Sequence, residues 1–219
     1  MKIVKTFTDR YPIIGPLVWV FSIQYYFSQL FAARSFRPSY SISRNTISDL
    51  GNTACEIYNH RQVCSPDHLL MNLSFIILGI TMAIGSLFIY QEFKESKYSI
   101  VGFIFMGLAG LGTAIVGFFP ENTIGILHYI GASLPFFVGN IALIIFALTL
   151  FIPKAFSLYT LASGSFALLA MVLFLTHTYI GIGVGGIERI AAYPQSIWLI
   201  VFGLYISKNH YSRNRPSTN

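Results

Sequence analysis

The sequence has few charged side chains for its length. Only 10% of its 219 residues are Asp, Glu, Lys or Arg, whereas a soluble domain carries about 25%. So few charges cannot cover a water-facing surface, which excludes an ordinary soluble domain. Hydrophobic residues make up 54% of the chain and aromatic residues 16%, which excludes a disordered chain, because disorder requires low hydrophobicity. The composition is typical of a chain embedded in lipid.

The sequence also lacks the motifs of common catalytic and metal sites. It contains no H-E-x-x-H, G-x-S-x-G or P-loop pattern. Its only cysteines, Cys55 and Cys64, have a spacing that zinc sites do not use, so we expect no metal site. The sequence identifies no cofactor, and it leaves open whether the protein is an enzyme.

Six apolar stretches follow one another along the chain. Each is long enough to cross about 30 Å of hydrocarbon as a helix. Apolar residues run continuously through each stretch and do not alternate with polar ones, which excludes the strands of a membrane barrel. The predicted helices are residues 13–33, 68–90, 99–118, 124–151, 156–176 and 187–206, and residues 34–66 form a long loop. The sequence therefore predicts an all-α fold in one domain, a polytopic six-transmembrane-helix bundle.

The distribution of cations predicts the orientation of this bundle. With the N-terminus in the cytoplasm, the inner side carries nine cations against three acids, whereas the outer side has no net charge. The inner cations are Lys2, Lys5, Arg10, Lys94, Lys97, Lys154, Lys208, Arg213 and Arg215. Cytoplasmic segments carry an excess of Lys and Arg, so we predict that both termini are cytoplasmic. The excess of Lys and Arg thus reflects orientation in the membrane, and we predict contact with membrane lipid and not with nucleic acid.

This orientation places three polar segments on the outer side, at residues 44–52, 119–122 and 185–189. Their uncommon polar residues, together with a nearby histidine, are our candidates for an outward-facing ligand site. These candidates are Asp49, Asn52, Glu121, Asn122, His128 and Arg189. Arg189 suits a phosphate or carboxylate, so the pattern favours a lipid headgroup or a small polar ligand. If the protein is an enzyme, His128 with Glu121 is the acid–base pair that we expect.

The same residues also have structural interpretations. Arg189 is expected to pair with an acid from another segment, and Asp49, Glu121 and Glu188 are the candidates. Such pairs would pin the outer loop to the bundle in a structural or assembly protein without a ligand. His128 can equally be a hydrogen-bonded interior group. A small transporter is a further alternative, although no charged side chain is predicted near the midplane, where ion-coupled transporters usually need one.

The two cysteines lie in the predicted outer loop. A compartment outside the cytoplasm permits disulfides, so we predict a bond between Cys55 and Cys64. Closing a loop of this length stabilises the fold by roughly 2.5 kcal/mol in the chain-entropy model.

Four motifs together resemble one known family. They are YSISRNTISDLGN after the first helix, NLSFIILG in the second, GFFPENT after the third and GGIER before the sixth. In this order they resemble the bacterial and archaeal membrane proteins of the domain of unknown function 998 family. That family is more distantly similar to the Frag1/DRAM/Sfk1 membrane proteins. The resemblance implies a six-helix bundle and a multi-pass protein of a prokaryotic plasma (inner) membrane, and it implies no particular activity.

Overall fold

The fold consists almost entirely of helices, joined by one long loop that contains a β-hairpin. The computed structural model describes residue 6, residues 10–93 and residues 98–213. The helices are α1 (Ile14–Val20), α2 (Gln24–Ser35), α3 (His68–Phe93), α4 (Ser99–Phe118), α5 (Gly125–Ser133), α6 (Asn140–Thr149), α7 (Lys154–Leu175) and α8 (Gly183–Arg213). A 3₁₀ turn, Phe21–Ile23, joins α1 to α2, and a π-helical segment, Leu134–Gly139, joins α5 to α6.

Five helical segments are long and apolar enough to cross a membrane. Among the described residues they are His68–Phe93, Ser99–Phe118, Gly125–Thr149, Lys154–Leu175 and Gly183–His210. Their outward faces carry many exposed Leu, Ile and Phe side chains, which only lipid can cover favourably. The chain is therefore an all-α, multi-pass membrane protein. The first apolar stretch is also helical, but its 3₁₀ turn divides it into two shorter helices.

Close helix packing in the bundle depends on small residues. A Cβ atom on Gly79 of α3 would overlap the carbonyl of Gly110 on α4, and one on Gly117 would overlap the carbonyl of Asn72. Thr113, midway between the two α4 glycines, donates to Ala109 within its own helix and is buried. Small side chains let helix backbones approach closely in lipid, where no hydrophobic force drives their association.

An aromatic cluster fills the opposite half of the bundle from the long loop. Trp19, Phe146, Trp198 and Phe202 are fully buried there, and the rings of Trp198 and Phe202 stack with centroids 4.5 Å apart. The indole N–H of Trp198 donates to Thr160 Oγ1 at 2.8 Å, so the polar edge of the ring is satisfied. This packing ties α1, α6, α7 and α8 together.

Several predicted helices differ from the structure in their bounds or regularity, and two of these differences have a clear physical cause. The last helix begins at Gly183 rather than residue 187, so Gly185 and Gly186, which the prediction places before the helix, lie within it. A Cβ on Gly185 would overlap the carbonyl oxygens of Asn45 and Ile42, so glycine lets the long loop lie directly on this helix. The fourth predicted helix contains the π-helical segment, which begins one residue before Pro135. Proline cannot donate a backbone hydrogen bond, which accounts for the irregularity.

The long loop is more ordered than its sequence suggests. It contains a 3₁₀ turn, Ser48–Gly51, and two antiparallel strands, β1 (Glu56–Tyr58) and β2 (Arg61–Val63). A disulfide joins Cys55 to Cys64 at the open end of this hairpin. Val63 is fully buried and Ser65 Oγ donates to the Leu50 carbonyl at 2.7 Å, so the hairpin is anchored to the turn.

Candidate functional site

Asp49 is the centre of a buried polar cluster in the long loop. Its side chain is completely buried, and its Oδ2 accepts hydrogen bonds from Asn45 Nδ2 and from the Thr46 N–H, each at 3.0 Å. Arg61 reaches it from the hairpin and donates from Nε at 2.9 Å and from Nη2 at 2.8 Å, one bond to each carboxylate oxygen. This bidentate geometry is the strongest that an arginine and a carboxylate form.

A second carboxyl group, that of Glu121, lies against Asp49. Burial alone would raise the pKa of Asp49, but the hydrogen bonds and charge of Arg61 outweigh it and hold that pKa below its ordinary value. Burial, followed by the charge of Asp49, raises the pKa of Glu121 well above its ordinary value. The two acids therefore differ in protonation, with Asp49 ionised and Glu121 retaining its proton to higher pH than an exposed glutamate.

Several polar atoms around this cluster have no hydrogen-bond partner. Within the part of the chain that the structure describes, these are both amide atoms of Asn52, Oδ1 of Asn72 and Oε1 of Glu121. Asn52 is completely buried, and Glu121 is 7% exposed. Buried polar groups in folded proteins almost always have a partner, so each exception needs an explanation. The cluster is thus short of both donors and acceptors.

A groove opens beside the cluster, where the long loop meets the ends of α3 and α4. We call it the outer groove; its volume is about 550 Å³. Its polar lining consists of Thr53, His68, Asn72 and Thr123, and its apolar lining includes Leu69, Leu73, Ile76, Phe118 and Ile124. Thr53 is held in place by its N–H, which donates to Asn122 Oδ1 at 3.1 Å. The groove is therefore polar at one side and apolar at the other.

Arg189 does not pair with any of the acids that the sequence suggested. Its Nη1 donates to the carbonyls of Ile42, Asn45 and Gly185 at 2.7–3.1 Å, and its Nη2 donates to the Tyr40 hydroxyl. The carboxylate of Glu188 instead accepts the Ile47 N–H at 2.5 Å. The prediction that Arg189 forms an ion pair is wrong, because backbone carbonyls of the long loop accept hydrogen bonds from its guanidinium instead. A pattern of residue types does not show such backbone contacts. These bonds clamp the loop to α8.

His128 is a hydrogen-bonded interior group, and both of its ring nitrogens are used. Nε2 lies 3.1 Å from Ser48 Oγ, and Nδ1 lies 2.9 Å from the Phe119 carbonyl. Among the described residues, no hydrogen bond joins His128 to Glu121. His128 therefore links the Ser48–Gly51 turn to the end of α4, and its pairing with Glu121 in catalysis stays a prediction.

The six candidate residues thus occupy three places rather than one. Asp49, Asn52 and Glu121 belong to the buried cluster, with Asn122 at its edge, while Arg189 and His128 clamp the loop from two other sides. Sequence reasoning missed Arg61, because a surface cation is ordinary in a polar loop. The only available signal was its place between the two cysteines, which holds it on a closed hairpin.

Comparison with known proteins agrees with one of the resemblances noted above. No curated protein and no solved structure matches the chain significantly. The more distant resemblance to the Frag1/DRAM/Sfk1 proteins stays a prediction. The sequence model described as "Protein of unknown function (DUF998)" matches residues 13–205, which is most of the chain, and the protein therefore belongs to the DUF998 family.

Proposed function

We propose that this protein binds a lipid headgroup in the outer groove, at the outer surface of a prokaryotic plasma membrane. We also propose that residues 14–35 form a sixth span, because they are helical from end to end and carry exposed apolar side chains such as Phe21, Phe27 and Phe31. Both termini would then lie in the cytoplasm. Of the cations behind that orientation, Lys2, Lys5, Lys94, Lys97 and Arg215 lie outside the described residues.

The observation that carries the proposal is the set of unpartnered buried groups next to an open groove. Asn52 has both amide atoms unpartnered, and Glu121 has Oε1 unpartnered, within the described chain. Thr53 and Asn72, which adjoin these residues in sequence or in space, line the groove. A headgroup with N–H donors would satisfy the acceptor atoms there, while its acyl chains follow the apolar lining towards Ile76.

Each remaining candidate supports this site rather than forming it. Asp49 and Arg61 hold the hairpin over the cluster, and Tyr58 of the hairpin donates its hydroxyl to the Glu121 carbonyl at 3.0 Å. Arg189 and His128 fix the loop to α8 and α5. Asn122 positions Thr53 at the rim of the groove. The proposed site therefore consists of Asn52 and Glu121 with the groove residues.

The test compares two zwitterionic lipids that differ in hydrogen-bond donors. Purified full-length protein in mild detergent is titrated with phosphatidylethanolamine, which carries N–H groups, and with phosphatidylcholine, which carries none. We expect the first to bind more tightly by native mass spectrometry and to raise the melting temperature more, because bound ligand stabilises the folded state. Equal affinity and equal stabilisation by both lipids would refute the headgroup assignment.

Two variants locate the binding. Leu73→Trp fills the apolar side of the outer groove, and Asn52→Leu removes the unpartnered amide; both should abolish the preference for phosphatidylethanolamine. The matched control is Leu111→Trp on the lipid-exposed face of α4, which should retain it. Asn52→Leu is expected to be neutral or stabilising in the absence of lipid, since replacing an unsatisfied polar group by an apolar one removes a penalty of about 1–3 kcal/mol. If Asn52→Leu lowers the stability of the lipid-free protein, the amide of Asn52 already has hydrogen-bond partners and the reasoning fails.

A structural or assembly role is the second candidate function, and the clamp around Arg189 favours it. Three of the four hydrogen bonds from this guanidinium reach the loop, at Ile42, Asn45 and Tyr40, and they hold the loop against α8. A protein of this kind would show the stability effects described below, and no lipid preference at the outer groove. The transporter alternative stays a prediction that the lipid titration does not address.

Labelling with an impermeant thiol reagent tests the orientation. Lys94→Cys and Gln62→Cys are made separately in a background in which Cys55 and Cys64 are both serine. In intact cells only the Gln62→Cys protein should react, and the Lys94→Cys protein should react after permeabilisation. Reaction of the Lys94→Cys protein from outside would reverse the orientation and place the groove in the cytoplasm.

A further inference from the structure

The turn between α7 and α8, residues 176–182, is uncharged and carries exposed apolar side chains. We call it the α7–α8 turn; no Asp, Glu, Lys or Arg occurs in it or anywhere else in residues 155–187. Ile180 is 64% exposed in this turn, and Ile182 is 36% exposed. The last residue of α7, Leu175, is also exposed. The apolar surface of the turn is therefore continuous with the lipid-facing surface of the helix before it.

The backbone of this turn is one that isoleucine rarely adopts. The Ile182 N–H donates to the Tyr179 carbonyl at 3.0 Å, and this bond encloses Ile180 and Gly181. Both enclosed residues have positive φ, at +42° and +82°, which is the pattern of a type I′ turn. Such turns favour Asn, Asp and Gly, and a β-branched residue at positive φ is an outlier. The turn therefore presents an isoleucine at its tip, where the backbone alone would favour a small polar residue.

The β-hairpin of the long loop contains a turn with the same pattern and a polar tip. Asn59 and His60 have φ of +45° and +62°, and both side chains are exposed. Asn is among the residues that this backbone favours, and polar side chains suit a tip that projects into water. Because both turns have two consecutive residues at positive φ, the backbone does not account for the apolar tip at Ile180. The difference between the two tips indicates that they have different surroundings.

The length of α7 places the turn at the edge of the hydrocarbon. The helix runs from Lys154 to Leu175, which is about 32 Å along its axis, close to the thickness of about 30 Å of a hydrocarbon core. The charge of Lys154 marks one boundary of the hydrocarbon, so the turn lies at the other. Tyr179 packs against the buried cluster between α7 and α8, and its hydroxyl lies 2.7 Å from His177 Nδ1. Tyrosine is enriched at this level of a membrane, because its ring is apolar and its hydroxyl is polar.

We propose that the α7–α8 turn inserts Ile180 and Ile182 into the bilayer interface, so that its partner is a phospholipid surface. Burial of these side chains among the upper parts of the acyl chains is favourable and compensates for the unfavourable φ of Ile180. Just beyond the turn, the Gly185 N–H donates to the Ser43 carbonyl at 2.9 Å, so the inserted turn also fixes the level at which the long loop lies. This surface is separate from the outer groove, and its insertion does not depend on the function proposed for that groove or on the orientation of the chain.

Tryptophan fluorescence tests where the turn lies. Ile180→Trp and its matched control His60→Trp each replace an exposed residue at positive φ, one in the α7–α8 turn and one in the hairpin turn. The native Trp19 and Trp198 are fully buried, and the unchanged protein measures their background emission. Each full-length protein is reconstituted in phosphatidylcholine nanodiscs, which leave both membrane faces open to solvent. The lipid is either ordinary or brominated on the acyl chains near the headgroup.

The two variants should respond to opposite quenchers. Brominated lipid should remove most of the added emission of Ile180→Trp and little of that of His60→Trp, whereas aqueous iodide should do the reverse. Ile182→Trp probes the same turn at a residue without positive φ and should show the same pattern, so the test does not depend on whether Ile180→Trp folds. Iodide quenching of the turn variants as strong as that of His60→Trp would overturn the proposal. Protection from both quenchers would also overturn it, because protein and not lipid would then cover the turn.

Discussion

Replacing Arg61 by alanine is the most direct test of how the long loop is held together. Asp49 has a completely buried side chain, and Arg61, with 17% of its side chain exposed, supplies two of its hydrogen bonds. Removing one partner of a buried ion pair costs about 3–5 kcal/mol, because the other charge remains buried without compensation. Asn45 and the Thr46 N–H still donate to Asp49 in the variant. We therefore expect a loss near the lower limit, about 3 kcal/mol.

The loss can be measured by thermal unfolding of the purified protein in detergent. For a chain of this size, 1 kcal/mol corresponds to roughly 2–4 °C, so Arg61→Ala should lower the melting temperature by roughly 6–12 °C. Arg44→Ala is the matched control, since Arg44 is an exposed cation in the same loop. Its replacement should stay within about 0.5 kcal/mol of the unchanged protein.

A double-mutant cycle with Asp49→Asn separates the ion pair from other effects. If the two side chains interact as described, the double variant loses less stability than the sum of the single variants by more than about 1 kcal/mol. Additive effects, or an Arg61→Ala protein as stable as the control, would refute the view that this pair closes the hairpin over the cluster.

Three further predictions follow from the same region. Glu121→Gln should stabilise the protein at neutral pH. The pKa of Glu121 is raised by burial and by Asp49, so the folded state binds more protons than the unfolded chain. The free energy of unfolding therefore falls as pH rises above the ordinary pKa of 4.5. The glutamine variant should lose that part of the pH dependence in melting curves recorded at several pH values. Gly185→Ala should destabilise by several kcal/mol, because its Cβ would overlap two carbonyl oxygens of the long loop. Replacing Cys55 and Cys64 together by serine should cost about 2.5 kcal/mol in the chain-entropy model, measured by the same melting assay under non-reducing conditions.

Each of the first and third predictions has a result that would contradict it, and the second has a matched control. A steeper pH dependence in Glu121→Gln would mean that Glu121 is ionised in the folded protein. Gly107→Ala is the control for the glycine, since nothing lies within 4 Å of the added Cβ, and it should be neutral or stabilising by up to about 1 kcal/mol. A serine double variant that melts like the unchanged protein would show that the hairpin holds its shape without the bond.

The apolar helices could be identified from the sequence because their signal is local. A run such as residues 99–118 is continuous, long and uncharged, and no tertiary contact is needed to recognise it. Cys55 and Cys64 were recognisable as a pair for the same reason, since they lie close together in one predicted loop. The glycines at residues 183–186 misled the prediction, because glycine is typical both of a loop and of a helix packed against another backbone.

The arrangement of the candidate site could not be predicted, because its contacts join distant parts of the chain. Sequence reasoning offered Asp49, Glu121 and Glu188 as partners of Arg189, yet the guanidinium binds carbonyls of residues 42, 45 and 185. Every residue carries a carbonyl, so a residue pattern cannot show which ones converge on a cation. Arg61 pairs with Asp49 because the hairpin folds back over the turn.

The sequence by itself determined that this chain lies in a membrane as helices, because the scarcity of charge and the length of the apolar runs permit nothing else. It also determined which polar residues are uncommon enough to need an explanation. Only the tertiary structure decided which of them meet: a buried acid pair under a hairpin, and an arginine bonded to carbonyls of the long loop. The physical reason is that burial and hydrogen-bond geometry belong to pairs of distant segments, and no single segment contains them.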